Sequence, residues 1–418
     1  MPEVRFKKFN KEWEKALLGQ KASFTKGQGY SKKDLVEVGA PIILYGRMYT
    51  KYESIISEVD TFVAQGSTGI ISGGTEVIIP ASGETAEDIA RASAVTVPNV
   101  ILGGDLNIIY PNNEINSSFL AFNISHGKPQ RDLGKKAQGK TVVHVRNSDI
   151  QELSIFYPVQ DEQLQIASSF TNIDRLISLQ SKKYEKLLNI KKAMLEKMFP
   201  KDGADVPEIR FKQFSAKWRI ENFDSFFDSS LSKNTLSRAN LTNEVHEVKN
   251  IHYGDILIKF DSVIDAVSDV DTYIKGSKID HYKSQFLKDG DVIFADAAED
   301  ETVGKAIEIR NLKGQNIVSG LHTIPCRPRR QVSPYFLGYY LNSSSFHRQL
   351  LPLMQGTKVL SISKSSLIKT NLKIPVDQEE QEKIGKYFKN IDVLISLQSS
   401  ELEKLKNMKK AMLEKMFV

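Results

Sequence analysis

The stretch "NIDRLISLQSKKYEKLLNIKKAMLEKMF" at 172–199 returns as "NIDVLISLQSSELEKLKNMKKAMLEKMF" at 390–417, and this repetition governs the reading of the whole 418-residue chain. Between 170–199 and 388–417, 23 of 30 positions are identical. Unrelated amphipathic helices would share composition but not this much order, so the chain carries an internal duplication. In the first copy Ile173, Leu176, Ile177, Tyr184, Leu187, Leu188, Met194, Leu195 and Met198 recur at three- and four-residue steps. Ile391, Leu394, Ile395, Leu402, Leu405, Met412, Leu413 and Met416 do so in the second. That spacing predicts helices with a broad apolar stripe and a Lys/Glu outer face. Pro158 and Pro375 precede acidic, Gln-rich first turns, where carboxylates complement the positive end of a helix. Thirty helical residues extend about 45 Å, more than a compact domain needs. Matching stripes in two copies predict mutual, antiparallel packing as a coiled coil rather than two separate core helices.

Working outward, "PEVRFKKFNKEW" at 2–13 recurs as "PEIRFKQFSAKW" at 207–218, and "YPVQDEQLQIASSF" at 157–170 faces "IPVDQEEQEKIGKYF" at 374–388. The frame is repeated while the interior between its marks differs. The order is variable domain, helix, variable domain, helix, with expected bounds 1–157, 158–203, 204–374 and 375–418. Inside the variable domains "APIILYG", "TEVIIP", "KTVVHVR", "GDILIKF", "GDVIFAD" and "AIEIR" read as strands, and "SPYFLGYYLNSSSFHRQL" as helical at its centre. "YGRMYTKY" at 45–52 reads as a strand with one buried aromatic face. The fold class expected is α+β: two mixed α/β domains separated by two long antiparallel helices, related by a pseudo-twofold repeat.

Composition narrows the chemistry. The length favours two or three domains. No apolar run approaches a membrane span and no signal peptide opens the chain, so the cytoplasm is the expected address and no membrane partner is expected. A lone cysteine, Cys326, leaves no internal disulfide, and the scattered histidines form no metal-ligand spacing. The net charge of +6 is not spread over the variable interiors: 1–169 holds 18 basic and 19 acidic residues, and the excess lies in the helices and the 200–219 link. DNA binding must therefore be sought in local patches. No phosphate-binding loop, no methyltransferase cofactor turn and no catalytic constellation is found, and the acidic "DAAEDE" at 296–301 reads as a solvated turn.

The repeated "PExRFKxF…W" and the twin helices resemble the DNA-specificity (S) subunit family of type I restriction–modification systems, across essentially the whole chain. The run "QGTKVLSISKSSLIKTNLKIPVDQEEQEKI" at 355–384 is similar to that family's passage from a recognition domain into its spacer helix. The first copy, "AQGKTVVHVRNSDIQELSIFYPVQDEQLQI", keeps Gln-Gly but orders Lys140 and Thr141 differently. The resemblance implies a non-catalytic reader of double-stranded DNA, one half of a split target per variable domain. Its helices would act as a ruler and as the dock for two methyltransferase subunits. Those partners would carry S-adenosylmethionine, this chain holding no cofactor, and two restriction (motor-nuclease) subunits are optional further members.

Candidate DNA contacts are Lys128, Gln130, Arg131, Lys135, Lys136, Gln138 and Lys140 in "HGKPQRDLGKKAQGK", expected as an adaptable loop on phosphates. In the second domain they are Arg327, Arg329 and Arg330 of "CRPRRQ", and Gln355, Thr357, Lys358, Ser363 and Lys364. For the partner, Lys182, Lys186, Lys404 and Lys409 are expected on the outer helix faces. Trp13 and Trp218 recur in the frame and are expected in the core. On the residues alone three other readings stay open: a duplicated DNA-reading adaptor of another modification system, an enzyme with an unfamiliar site, and a coiled-coil scaffold without a DNA role.

Overall fold

The computed structural model describes residues 2–64, 69–139 and 141–417. The chain divides into two compact units, one of Met1–Lys182 with Ser400–Val418, the other of Lys183–Ser399. Each unit thus combines one variable domain with half of each long helix. Those helices run Gln160–Lys197 and Gln378–Met416, 38 and 39 residues, or about 57 Å each at 1.5 Å per residue.

In the first unit, strands Ala22–Lys26, Leu106–Pro111, Glu76–Pro80, Ser93–Val95 and Ile55–Ile56 form one sheet in that spatial order. A second sheet orders Leu35–Val36, Phe62–Val63, Ala40–Ile43, Ile101–Leu102 and Ile70–Ile71. The other unit repeats the first sheet as Phe227–Asp228, Thr323–Pro328, Val292–Ala295, Ala306–Arg310 and Val263–Asp265. Its second sheet orders Leu241–Thr242, Tyr273–Ile274, Lys249–Ile251 and Ile317–Ser319. Pairing directions match as well: Ser93–Val95 runs parallel to Ile55–Ile56, and Val263–Asp265 parallel to Ala306–Arg310. The interiors have therefore diverged in sequence while keeping topology. The two-stranded frame recurs too, with Glu14–Leu17 against Ser154–Tyr157 and Arg219–Asn222 against Asn371–Ile374.

The repeated motifs explain themselves through packing. Arg5 donates Nε and Nη2 to Glu162 at 2.7 and 2.6 Å and a further bond to the Lys11 carbonyl. Arg210 does the same to Glu380, at 2.6 and 2.8 Å, and to the Ala216 carbonyl. Both glutamates are buried in the first turn of a long helix, so a planar, bidentate donor is required there. Trp13 lies edge-on to Phe417, 6.4 Å between centroids, and Trp218 to Phe199 at 6.2 Å. The last phenylalanine of the second helix fills the first unit's core beside Phe119 and Phe170, and that of the first helix fills the second unit's core beside Phe336, Tyr340 and Phe388. Both tryptophans thus belong to core clusters, as the repeat predicts.

Along the helices the covered positions are narrower than the broad stripe expected. Ile173, Ile177, Gln180, Tyr184, Leu187, Lys191 and Met194 are buried or half-buried, as are Ile391, Ile395, Gln398, Leu402, Leu405, Lys409 and Met412. These steps alternate four and three, the phase of a coiled-coil seam. Leu176, Leu179, Leu188 and Leu394 fall outside it and are exposed. Within the first unit Lys409 pairs with Asp174 at 2.5 Å and Gln180 donates to Glu401 at 2.6 Å; within the second, Lys191 pairs with Asp392 at 2.6 Å. In the first unit Asp174 meets Lys409 and Gln180 meets Glu401, and in the second Lys191 meets Asp392 while Phe199 stacks on Phe388, so in each unit the halves lie antiparallel.

Three local expectations are corrected. "GDILIKF" is not a strand: Tyr253–Ile258 is a helix whose N-cap, His252, accepts the Gly254 amide at 3.2 Å. "YGRMYTKY" contains the helix Arg47–Thr50, because Arg47 turns inward to bond Asp60 and Glu53. The basic stretch 126–140 is mostly the helix Gly127–Lys136. Gly127 there has φ +64°, and a Cβ on it would stand 1.4 Å from the Phe417 carbonyl oxygen, so only glycine admits the helix end that packs against it. The strands expected at 40–43, 76–80, 292–295 and 306–310 and the helix at 336–341 are present.

Candidate nucleic-acid interface

The Gln-Gly segments form the same structure in both units. Gln138 and His144 exchange backbone bonds of 3.1 and 2.8 Å; Gln355 and Ser361 exchange bonds of 3.0 and 2.8 Å. Gly139 and Gly356 have φ +138° and +113°, and a Cβ on either would lie 1.9 or 2.0 Å from the carbonyl oxygen of Val142 or Val359. The residues aligned across the two copies are therefore Thr141 with Lys358 and Val142 with Val359, whatever the altered order of Lys and Thr. Each hairpin hangs from a short strand of its unit, Val143–His144 on Ser82–Gly83 and Leu360–Ser361 on Ala297–Ala298. Gln138, Thr141, Gln355, Thr357 and Lys358 are exposed; Lys140 lies outside the described residues.

The remaining candidates separate into free and engaged side chains. On the helix Gly127–Lys136, Lys128 and Arg131 are exposed and Gln130 half-exposed, while Pro129 and Leu133 are buried. Lys135 stands 3.8 Å from Asp132, and Lys136 is paired with Glu152, which holds the ammonium's pKa above its ordinary value. The "CRPRRQ" arginines are bound within their own unit. Arg327 grips buried Asp291 through Nε and Nη2 at 2.8 and 2.7 Å. Arg329 donates to the Asp224 carbonyl at 3.3 Å, and Arg330 pairs with Glu221 at 2.5 Å while lying 4.9 Å over the Phe226 ring. Ser363 caps the helix Lys364–Leu367, its hydroxyl accepting the Ser366 amide at 3.1 Å. Lys364, one residue on, is exposed and has no acidic partner among the described residues.

On the long helices Lys182, Lys186 and Lys404 are exposed as expected. Lys409 is not on an outer face: it sits in the seam, paired with Asp174 and 5.9 Å from the Phe122 ring centroid. What the sequence reading missed is apolar. Leu176, Leu179, Leu394 and Leu397 are 50, 53, 48 and 55% exposed at duplicated positions, two in each unit. The strict four-three phase of the neighbouring residues would have marked them as lying off the seam.

The first unit also holds a cavity of about 830 Å³ between the turn at 31–34 and the helix Arg47–Thr50, lined by Tyr30, Lys32, Lys33, Tyr45, Lys51 and Asp105 among others. At the corresponding place in the second unit Arg238 pairs with Asp255 at 2.8 Å and Tyr253 lies edge-on to His322 at 5.2 Å. Among the described residues no helix is long and apolar enough to cross a membrane, and no three His, Cys, Asp or Glu side chains gather as a metal site.

Two α+β domains of shared sheet order, each built onto half of two long helices, make a duplicated fold. The family model for the type I restriction modification DNA specificity domain matches residues 10–189 and 239–407, and the chain belongs to that family. The type I restriction enzyme MjaVIII specificity subunit of Methanocaldococcus jannaschii is 25% identical over 287 residues, 66% of this chain and 64% of that protein. The match thus spans just under two thirds of that relative's length. The S subunit of a type I restriction–modification system from M. genitalium superposes with a TM-score of 0.61 at 15% identity, over 100% of this chain and 99% of its own. A chain solved in work on complex assembly and conformational transition of the type I R-M system gives 0.53 at 16% identity, over 97% of each. At these identities the structural likeness is one of fold.

Proposed function

We propose that the chain is the non-catalytic specificity subunit of a type I restriction–modification complex, each variable domain reading one half of a bipartite target in double-stranded DNA. The observation that carries this reading is the contrast inside the duplication. Two domains share element order, strand order and frame contacts, yet differ in the side chains their topology presents. Divergence of surface on a fixed backbone is what two readers of different base sequences need, since bases are distinguished by donor and acceptor patterns at groove edges. Lys128, Gln130, Arg131, Gln138, Gln355, Thr357, Lys358 and Lys364 remain the DNA-contact candidates, because their polar groups are not consumed inside the fold. Arg327, Arg329, Arg330, Lys136 and Ser363 serve the fold first.

The repeated helix positions support docking of two copies of one partner, the methyltransferase subunit, which would bring S-adenosylmethionine and receive the target adenine. In each unit two exposed leucines form the apolar part of a docking surface, and Lys182 and Lys404 in the first unit and Lys186 in the second add its charge, as interfaces with an apolar centre and a polar rim do. Helices of about 57 Å exceed the length of one DNA turn, about 34–36 Å, as a ruler between half-sites requires. The test is to map methylated adenines in cells carrying the native chain and in cells where 1–155 is replaced by the matching part of a relative. One half of the recognised sequence should change and the other stay. Simultaneous change of both halves, or methylation with no bipartite preference, defeats the assignment.

A further inference from the structure

We propose that the two Gln-Gly hairpins are sequence-independent grips on the sugar–phosphate backbone, one per half-site, and not readers of bases; the inference rests on the specificity-subunit reading. Parts of the two domains that distinguish different base sequences must themselves differ. An exposed part that recurs and meets the DNA must touch what both half-sites share, and every DNA duplex shares its phosphates and deoxyriboses. The hairpins recur in backbone bonds, in the positive-φ glycine and in the valine whose carbonyl closes over it. Their supporting strands do not recur in sequence, Ser82–Gly83 in one unit and Ala297–Ala298 in the other.

The chemistry of the tips fits a phosphate. From Leu133 to Ser148 and from Gln355 to Ser366 there is no acidic residue, while Lys, Thr, Gln and glycine amides stand within five positions of one another. At the same place in the hairpin Thr141 stands in one unit and Lys358 in the other. A base reader could not tolerate that exchange, since a base edge demands a given donor at a given place. A phosphate can, because a hydroxyl and an ammonium on a flexible stem both donate to its oxygens. The backbone beneath requires glycine in both units, as no side chain fits at Gly139 or Gly356. Val142 and Val359, 48 and 55% exposed, add apolar surface of the kind that packs on deoxyribose. Both hairpins lead by the same short path into the repeated frame strands Ser154–Tyr157 and Asn371–Ile374 and then the long helices. The grips therefore tie each half-site to its helix in the same register, whatever bases lie beside them.

The experiment uses the assembled methyltransferase complex with the full chain, native or carrying Lys358→Ala, Thr141→Ala or Lys358→Arg. Binding to a target duplex and to an unrelated duplex is measured across a salt series, with methylated sites mapped in parallel. Lys358→Ala should weaken both duplexes by the same factor, severalfold, and reduce the slope of log affinity against log salt by about 0.9. Thr141→Ala should weaken both equally with no loss of slope, and Lys358→Arg should keep it. The mapped sequence should not change in any variant. A changed base preference at one half-site would make the hairpin a reader and overturn the proposal. Unaltered DNA binding with loss of methyltransferase from the complex would make it a partner contact and overturn the proposal equally. If the native complex itself shows no bipartite target, the specificity-subunit reading fails and the grips with it.

Discussion

Arg5 and Arg210 stand in matching surroundings, each forked onto a buried glutamate at the start of a long helix and onto a carbonyl six residues along the chain. Arg47 and Tyr253 begin corresponding short helices in the two variable domains, yet one is bound to Asp60 and Glu53 and the other rests against the rings of His252 and His322. The frame is thus held by the same side-chain contacts in both units, while the variable domains share backbone topology and differ in the side-chain contacts that fix it. A glutamate without its arginine would be a buried, unpaired charge, so the frame tolerates little variation. A strand order can be kept by any set of side chains that fills the same core volume. Sequence repetition therefore marks where contacts are fixed, and its loss marks where side chains were free to change.

The largest effect should come from breaking the frame. Arg5→Ala and Arg210→Ala each strand a buried carboxylate and should cost about 3–5 kcal/mol in denaturant unfolding, whereas Arg5→Met combined with Glu162→Leu should cost far less. A double variant as unstable as the single one would remove the buried charge as the cause.

Next in size is the partner surface. Replacing Leu176, Leu179, Leu394 and Leu397 by Asn should leave stability within about 0.5 kcal/mol per site, as surface changes do. Methyltransferase affinity should fall by at least about tenfold, since buried apolar anchors dominate interfaces. Charge reversal at Lys182, Lys186 and Lys404 should act more weakly and mainly at low salt. Titration by calorimetry separates the two sets, and equal losses for both would return the dock to the charges.

A smaller, graded change should follow from lengthening the ruler. Seven residues inserted after Glu185 and again after Glu403 preserve the four-three seam and extend both helices by about 10 Å. That should widen the gap between half-sites by about three base pairs at 3.4 Å each, with both half-sites unchanged in methylation maps. An unchanged gap in an active variant would dissociate the helices from spacing.

The smallest effect distinguishes the two units by pH. His126 stacks on Phe417 at 6.4 Å, and burial, aided by Lys409 and opposed by the Phe122 carbonyl, pushes its imidazole below the usual range. Its folded value lies beneath its unfolded one, so the stability it contributes is present above about pH 6.5 and is lost as pH falls from there through the folded value. Ser343, the corresponding helix cap in the second unit, does not titrate. His126→Gln should flatten the acid side of the unfolding profile, and an unaltered profile would exclude this histidine as its source.

The duplication, the four-part order, the long helices and the family were legible in the sequence because they rest on repetition and on periodicity, which are properties of neighbours along the chain. The core role of Trp13 and Trp218 followed from the same repetition. The fate of individual charges was not legible. Arg327 meets Asp291, and Lys409 meets Asp174 across 235 positions, so nothing local distinguishes these cations from exposed Lys128 or Lys364. "GDILIKF" has the composition of a strand, but Ile258 is 89% exposed while Asp255, Ile256 and Phe260 are buried, which is not the alternation of a strand. Likewise the helix stripe looked broad because Leu176 and Leu394 are apolar. Only the antiparallel neighbour in each unit decides which apolar residues it covers, and the rest stay exposed. The sequence by itself determined that two variable domains share one frame, since duplication and hydrophobic period need no distant contact to be seen. Tertiary structure decided which polar groups are left over on the surface, since a charge is spent or free according to what the fold brings within about 4 Å of it.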